Sequence, residues 1–433
     1  MPRVIQPYPI ANAARPAVTG PEAFARRPRP GASAVLLTAV FVVALAGRFS
    51  LDRAGLPIPG GGDLRKPLCA ALLGVAILWQ VIRTTRGEAG PWPRLFLAFS
   101  ALVGFQLLAA LWAPWGARVD QATWDLVFLW VLVLVTVAFS AGDPRRAATV
   151  LLVLMLVAGV VYAVGALQAG PQSQGRYSAF GGGPNVFVRV VSLGVIASVT
   201  LALRSRRWWL LLPLPLLGAA AVLSGSRGGL VALVGAAVIF FVFFARRRAS
   251  ILIGTVLVGG LVSWTVWTAI GETVTSVAAT RYSSTGIESS DFSARPELLS
   301  AAWEMFLSHP LTGAGLDSFN ATVGIGYPHN YLAGLAAETG VIAVGLLVFA
   351  ICRWWRDGRP WSAAPKEQIG CAVGAIYILL ASMFSGDYFD TRFFWILAVV
   401  AVQRSVRRPR NIGQKQEVAP WQSSRGNRVG FSS

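Results

Sequence analysis

Of 433 residues only two are histidine, His309 and His329, and both fall in the one long stretch without a long apolar run, residues 271–329. Imidazole is the side chain best suited to take a proton near neutral pH. His329 stands in Tyr327-Pro328-His329-Asn330-Tyr331, immediately before an apolar run, where it either accepts a proton from a reacting hydroxyl or serves the helix start as structure. His309, followed by Pro310, reads as a structural cap or loop hydrogen bond. Arginines that interrupt apolar sequence are the second signal. Arg176 opens a glycine-rich stretch, Gly175-Arg176-Tyr177-Ser178-Ala179-Phe180-Gly181-Gly182-Gly183-Pro184-Asn185, and Arg189 follows one helical turn after Asn185. Glycines let backbone N–H groups approach an anion, and Asn185 is expected to cap the helix that Arg189 occupies. A flexible turn with outward-reaching arginines is the plainer reading, but it suits Arg176 better than Arg189, which has apolar neighbours on both sides. Arg227, in Ser224-Gly225-Ser226-Arg227-Gly228-Gly229, either helps backbone donors cradle a phosphate or decorates a tight turn. Arg281 and Arg295 lie in the 271–329 stretch, where Ser293-Ala294-Arg295-Pro296-Glu297 leads into Leu298, Leu299, Ala302, Met305 and Phe306. That spacing predicts a short amphipathic helix capped near Ser293 or Arg295.

These side chains must be held by elements of a particular kind. The chain is 55% hydrophobic and 13% charged, with a mean hydropathy of +0.59, which excludes a soluble enzyme, a disulfide scaffold and a single-span receptor. Apolar runs predict spans at 33–50, 67–82, 94–113, 122–140, 147–167, 186–203, 208–224, 229–245, 249–270, 330–352, 367–385 and 392–405. The expected fold is therefore an all-α polytopic membrane protein of about twelve transmembrane helices. Its organisation would be a cytoplasmic tail over 1–32, nine helices over 33–270, a long extracytoplasmic loop over 271–329, three helices over 330–405 and a basic cytoplasmic tail over 406–433. Residues 1–32 lack the apolar core of a cleavable signal, so the first helix is expected to direct its own insertion.

With the N-terminus inside, 27 of the 38 lysines and arginines fall on cytoplasmic segments and nine on outer ones. The positive-inside rule accounts for this bias and for the net charge of +19 without nucleic acid, and places both termini in the cytoplasm. The runs Arg204-Ser205-Arg206-Arg207 and Arg246-Arg247-Arg248 then serve topology and anionic headgroups. Arginines on the outer side have no such role and are candidates for function. Cys69, Cys352 and Cys371 show neither metal spacing nor an obvious pairing, and the sequence has no nucleotide-sugar Asp-x-Asp on a soluble domain and no Walker loop.

Taken in order, Arg176 with Pro184-Asn185, the Ser224–Gly229 turn, Arg295 through His309-Pro310-Leu311-Thr312-Gly313-Ala314-Gly315, and His329-Asn330 resemble the O-antigen ligase and polymerase superfamily of bacterial polysaccharide-assembly membrane proteins. The similarity spans roughly residues 170–345. The ligase pattern has His, then Asn, Ser or Gln, nine residues, Gly, two residues, and Gly, Thr or Tyr. His329, Asn330 and Gly340 match it, and Ala343 departs at the last position, which weakens the choice of ligase over polymerase. The resemblance implies a GT-C-like membrane glycosyltransferase in the bacterial inner membrane, inverting and independent of metal or other cofactor. Its donor would be a glycan on undecaprenyl pyrophosphate, its acceptor a sugar hydroxyl on a glycan or a lipid-linked saccharide, and its site extracytoplasmic. Arg189, Arg227 and Arg281 would bind pyrophosphate, with Arg176, Asn185 and Asn330 as further substrate contacts and His329 as the base. Glu338, nine residues further along the helix than His329, is out of its reach and is expected to make an internal polar contact only. Two other readings remain: a repeat-unit polymerase of O-antigen, capsule or exopolysaccharide, and a transporter or flippase of lipid-linked saccharide. A flippase needs ionisable groups through the depth of its bundle, whereas here they crowd one side.

Overall fold

The computed structural model describes residues 31–47, 65–85, 92–172, 175–243 and 294–404. Every regular element among them is helical. In chain order these are α1 (Ala32–Ala46), α2 (Arg65–Thr85), α3 (Arg94–Leu108), α4 (Val119–Ser140), α5 (Pro144–Ala169), α6 (Pro184–Ser205), α7 (Leu214–Leu223), α8 (Arg227–Phe243), α9 (Ala294–Ser308), α10 (Ser318–Val323), α11 (Tyr331–Asp357), α12 (Lys366–Phe384) and α13 (Arg392–Val402). Seven of them, α2 to α6 with α11 and α12, are long and apolar enough to cross a membrane, α3 doing so together with the 3-10 turn Ala109–Trp112 that continues it. The protein is an all-α polytopic membrane protein. Its outward faces are apolar at helical spacing, as on α5, where Val153, Val157, Val161 and Val164 are exposed.

Eleven of the expected spans coincide with a described helix; 249–270 lies outside the described residues, as does Arg281. Three depart from expectation in length. α7 is preceded by a separate 3-10 turn, Trp208–Leu211, because Pro213 and Pro215 supply no N–H to a continuous helix. α1 has 15 residues. α13 has only 11, too few to cross about 30 Å of hydrocarbon. It is buried along its whole length, packed against α12, α4 and α5, with Trp395 and Phe394 among the largest fully buried side chains. Its entry is satisfied by protein: Arg392 Nε donates to the Ala44 carbonyl (2.6 Å), and the guanidinium stacks on Phe389 and Phe393.

The helices run up and down, so the bundle has two distinct ends. At one, Arg204 pairs with Glu367 (3.4 Å), Lys366 donates to the Leu203 carbonyl and Arg404 to that of Asp357. Arg145, Arg146, Arg206 and Arg207 stand at helix termini of the same end. The other end gathers the starts of α4, α6, α8, α11 and α13 with the C-terminal ends of α3, α5, α7 and α12.

Candidate active site

The candidate residues are positioned by tight turns at this second end. Gln172 and Ser178 close the α5–α6 loop through the Ser178 Oγ–Gln172 Oε1 hydrogen bond (2.6 Å), and Tyr177 N–H donates to the Leu223 carbonyl (3.0 Å). Arg176 Nε reaches the carbonyl of Ser224 (2.9 Å), so the loop is tied to the turn that precedes Arg227. Asn185 is not the cap expected from its sequence context. Gly183 occupies the N-cap position, Pro184 follows as the first helical residue, and Asn185 lies inside α6. Freed from capping, its amide accepts from Ser226 Oγ (2.8 Å) and donates to Ser385 Oγ (2.8 Å), joining α6 to the α8 turn and the end of α12. Gly228 and Gly229 press against Phe384 and Val188, where a Cβ would sit 2.4 Å from each side chain. Their lack of side chains seats the first turn of α8, and with it Arg227, between α6 and α12.

His329 is set by the other half of the site. Asn330 caps α11, its side chain accepting from Ala333 N–H (3.0 Å), and His329 just before it adopts φ +57°, a left-handed conformation uncommon outside glycine. Its ring meets that of Tyr327 edge-on at 4.7 Å. α11 is itself broken at Gly340 (φ +65°, ψ −169°), and the His309–Gly315 loop fills the break. Ala314 and Gly315 donate to the freed carbonyls of Ala337 and Glu338 (2.9 Å each), while Val341 and Ile342 donate to Pro310 and Leu311 (2.8 and 3.4 Å). An interrupted helix at membrane depth needs such replacement partners. His309 is exposed and bonds Ser308, consistent with its structural reading. Glu338 is buried, near the backbone of Asp317 and Phe319, but it also lines a smaller cavity between the starts of α4 and α11, so it is not confined to an internal contact.

Arg176, Asn185, Arg189, Arg227, His329 and Asn330 all line a single cavity of about 410 Å³. Arg189, only 6% exposed, makes an ion pair with Asp390 through Nη1 (3.1 Å), while its Nη2 is buried with no hydrogen-bond partner. Arg295 lines the same cavity from the start of α9, whose Leu298 and Ala302 pack with Phe319 and Ala337. By sequence Arg295 marks only a helix start and the family resemblance, with no expected part in the site. The signal that would have found it is the one that singled out its neighbours, a permanent cation at a helix terminus on the sparsely basic side. Ser385 and Asp390 carried no such signal. Among the described residues the cavity is thus lined by four guanidinium groups and no carboxylate, beside one imidazole. Such a set is chemically suited to a dianionic or more highly charged group, which charge-assisted hydrogen bonds would hold. Among the described residues no three His, Cys, Asp or Glu side chains are arranged to hold a metal ion.

Residues 212–350 match the family described as O-antigen ligase, a stretch that contains Arg227, Arg295, His329 and Gly340. The chain is also similar to an O-antigen ligase of Pseudomonas aeruginosa PAO1, 23% identical over 336 residues, covering 74% of this chain and 77% of that protein. Both comparisons agree with the resemblance carried by the motif residues, and both support kinship with the O-antigen ligase family.

Proposed function

We propose that the protein transfers a glycan from undecaprenyl pyrophosphate to a sugar hydroxyl, on the outer face of the inner membrane. The observation that carries this reading is the convergence of Arg176, Arg189, Arg227, Arg295 and His329 on one cavity. Orientation is supported by the charge of the two ends: the lysines and arginines of the loops gather opposite the cavity, and the positive-inside rule assigns their end to the cytoplasm. In the reaction the acceptor oxygen bonds the anomeric carbon as the bond from that carbon to the phosphate oxygen breaks. The electron pair goes to the pyrophosphate, whose charge grows in the transition state, and fixed guanidinium groups stabilise that charge without changing protonation. The acceptor proton passes to the neutral imidazole of His329. The balance closes on a glycoside, undecaprenyl pyrophosphate and a proton. A single displacement of this kind inverts the anomeric centre.

A repeat-unit polymerase would use the same donor chemistry and differ in acceptor, a second lipid-linked repeat. Ala343, fully buried where the ligase pattern has Gly, Thr or Tyr, is the observation that favours it. The test is reconstitution of purified protein in vesicles with donor and acceptor both on the outer-equivalent side. A transferase releases undecaprenyl pyrophosphate in step with product, in chelator as well as without it. No product under these conditions, with donor instead moved between leaflets, would establish a flippase.

A further inference from the structure

We propose that a second, smaller cavity beside His329 is the acceptor subsite and takes a single uncharged sugar ring. The proposal rests on the transferase reading above and adds where the nucleophile binds and what chemistry it has.

The cavity measures about 150 Å³ and lies between the starts of α4 and α11 and the segment that links α12 to α13. It shares Pro328 and Asn330 with the arginine cavity. A second piece of the partition comes from the α12 end, where Ser385 lines the arginine side and Gly386 and Asp387 line the smaller cavity. His329 itself lines the cationic chamber, and the residues on either side of it, Pro328 and Asn330, adjoin a chamber of different chemistry.

Gln121, Asp125, Asp387, Tyr327, Tyr331 and Tyr388 are among the side chains of the second chamber. Arg118, its one cationic lining residue among those described, is engaged with Asp317, by ion pair (3.8 Å) and through its backbone N–H (2.7 Å). Carboxylates repel a pyrophosphate, so the donor's phosphates are excluded from this side. Carboxylate and amide oxygens accept hydrogen bonds from hydroxyls, and tyrosine rings offer apolar faces to the C–H faces of a sugar. Convergent polar groups in a concave site of this size suit one polyhydroxylated ring rather than a lipid chain.

The junction carries an independent sign of a ligand. The Nη2 of Arg189, buried and without a hydrogen-bond partner, lies against Gly386 in the partition, 2.8 Å from where a Cβ on that glycine would stand. A donor group left unmet at the boundary of the two chambers is met when the reacting phosphate oxygen arrives there. With pyrophosphate on one side and the acceptor on the other, nucleophile and leaving group approach the anomeric carbon from opposite faces, the geometry of inversion.

The full-length protein in nanodiscs, titrated with methyl α-D-glucopyranoside and methyl α-D-galactopyranoside by saturation-transfer NMR and separately with undecaprenyl pyrophosphate, tests this. Gln121 is exposed at the cavity rim, so Gln121→Trp fills the chamber from outside the packed core. It should weaken glycoside binding at least about tenfold, the loss of one or two hydrogen bonds, and leave undecaprenyl pyrophosphate binding within about twofold. Asp387→Asn should weaken the glycosides in the same direction. Arg227→Ala should do the reverse, losing undecaprenyl pyrophosphate and keeping the glycosides. No saturation transfer to either glycoside in the parent, glycoside binding undiminished in Gln121→Trp, or displacement of the glycoside by a divalent cation would overturn the proposal. Failure of undecaprenyl pyrophosphate to bind the parent while the glycosides behave as expected would instead remove the transferase reading and leave the sugar site standing.

Discussion

Arg189 is held by one nitrogen and open at the other, which gives it a different task from Arg227 at the first turn of α8. Asp390 pairs with its guanidinium through Nη1 and leaves Nη2 without a hydrogen-bond partner, a division that a lysine, presenting one point charge, does not offer. Arg189→Lys and Arg227→Lys should each lower transfer by about 10- to 150-fold, since one lost charge-assisted hydrogen bond costs about 1.5–3 kcal/mol. Initial rates of product formation at matched protein levels check this, and full activity of either variant would reduce that arginine to structure. His329 poses a subtler problem because its backbone is left-handed. Asparagine tolerates that conformation better than alanine, so His329→Asn separates the imidazole from the backbone requirement. It should keep the parent's thermal unfolding profile and undecaprenyl pyrophosphate binding while losing about 10²–10⁴-fold in transfer rate. Transfer at the parent rate would sink the base assignment.

At the scale of elements, the break in α11 is what couples the loop to the site. Gly340 has a positive φ, and a Cβ there would meet the Leu311 carbonyl oxygen at 2.3 Å. Gly340→Ala should therefore expel the His309–Gly315 loop, with strain on the order of 1–3 kcal/mol for the backbone alone, and lower the detergent melting temperature as well as activity. A melting temperature unchanged from the parent would contradict the docking of that loop. The pattern from His329 to Gly340 was legible in the residues, but its reason was not: nine intervening residues say nothing of a helix that breaks to admit another segment. Asn185 shows the converse. Its sequence context advertised a cap, yet Pro184 takes the first helical position, and the amide serves to hold Ser226 and Ser385 together. Asn185→Ala should cut transfer through misplacement of Arg227, and Asn185→Asp, which keeps an acceptor for Ser226 but not the donor to Ser385, should fall between.

Across the whole molecule the two ends differ in charge, and the reading of an outer site depends on which end faces which compartment. In a variant whose Cys69, Cys352 and Cys371 are replaced by alanine, a cysteine at Thr322 should react with a membrane-impermeant thiol reagent in cells with a permeabilised outer membrane. One at Ser205 should react only after the inner membrane is opened. Both positions are exposed at opposite ends of the bundle, so labelling at Ser205 alone would turn the protein over and remove the outer-face reaction.

Composition and hydropathy determined by themselves that the chain is helical and crosses a membrane, because a bilayer admits few ways to satisfy the polar N–H and C=O groups of the backbone. Residue type and spacing also marked Arg176, Asn185, Arg189, Arg227 and His329 as exceptional, since charge is costly in such surroundings, and the family resemblance added Asn330. Hydropathy does not distinguish lipid from protein as the apolar neighbour, so the burial of the short α13 on every side was decided only by packing. Tertiary structure alone also brought segments separated by more than a hundred residues to one cavity, added Arg295 to it, and set a second chamber behind His329. Those placements come from which helix faces meet, and a helix face is read against its neighbours rather than along its own sequence.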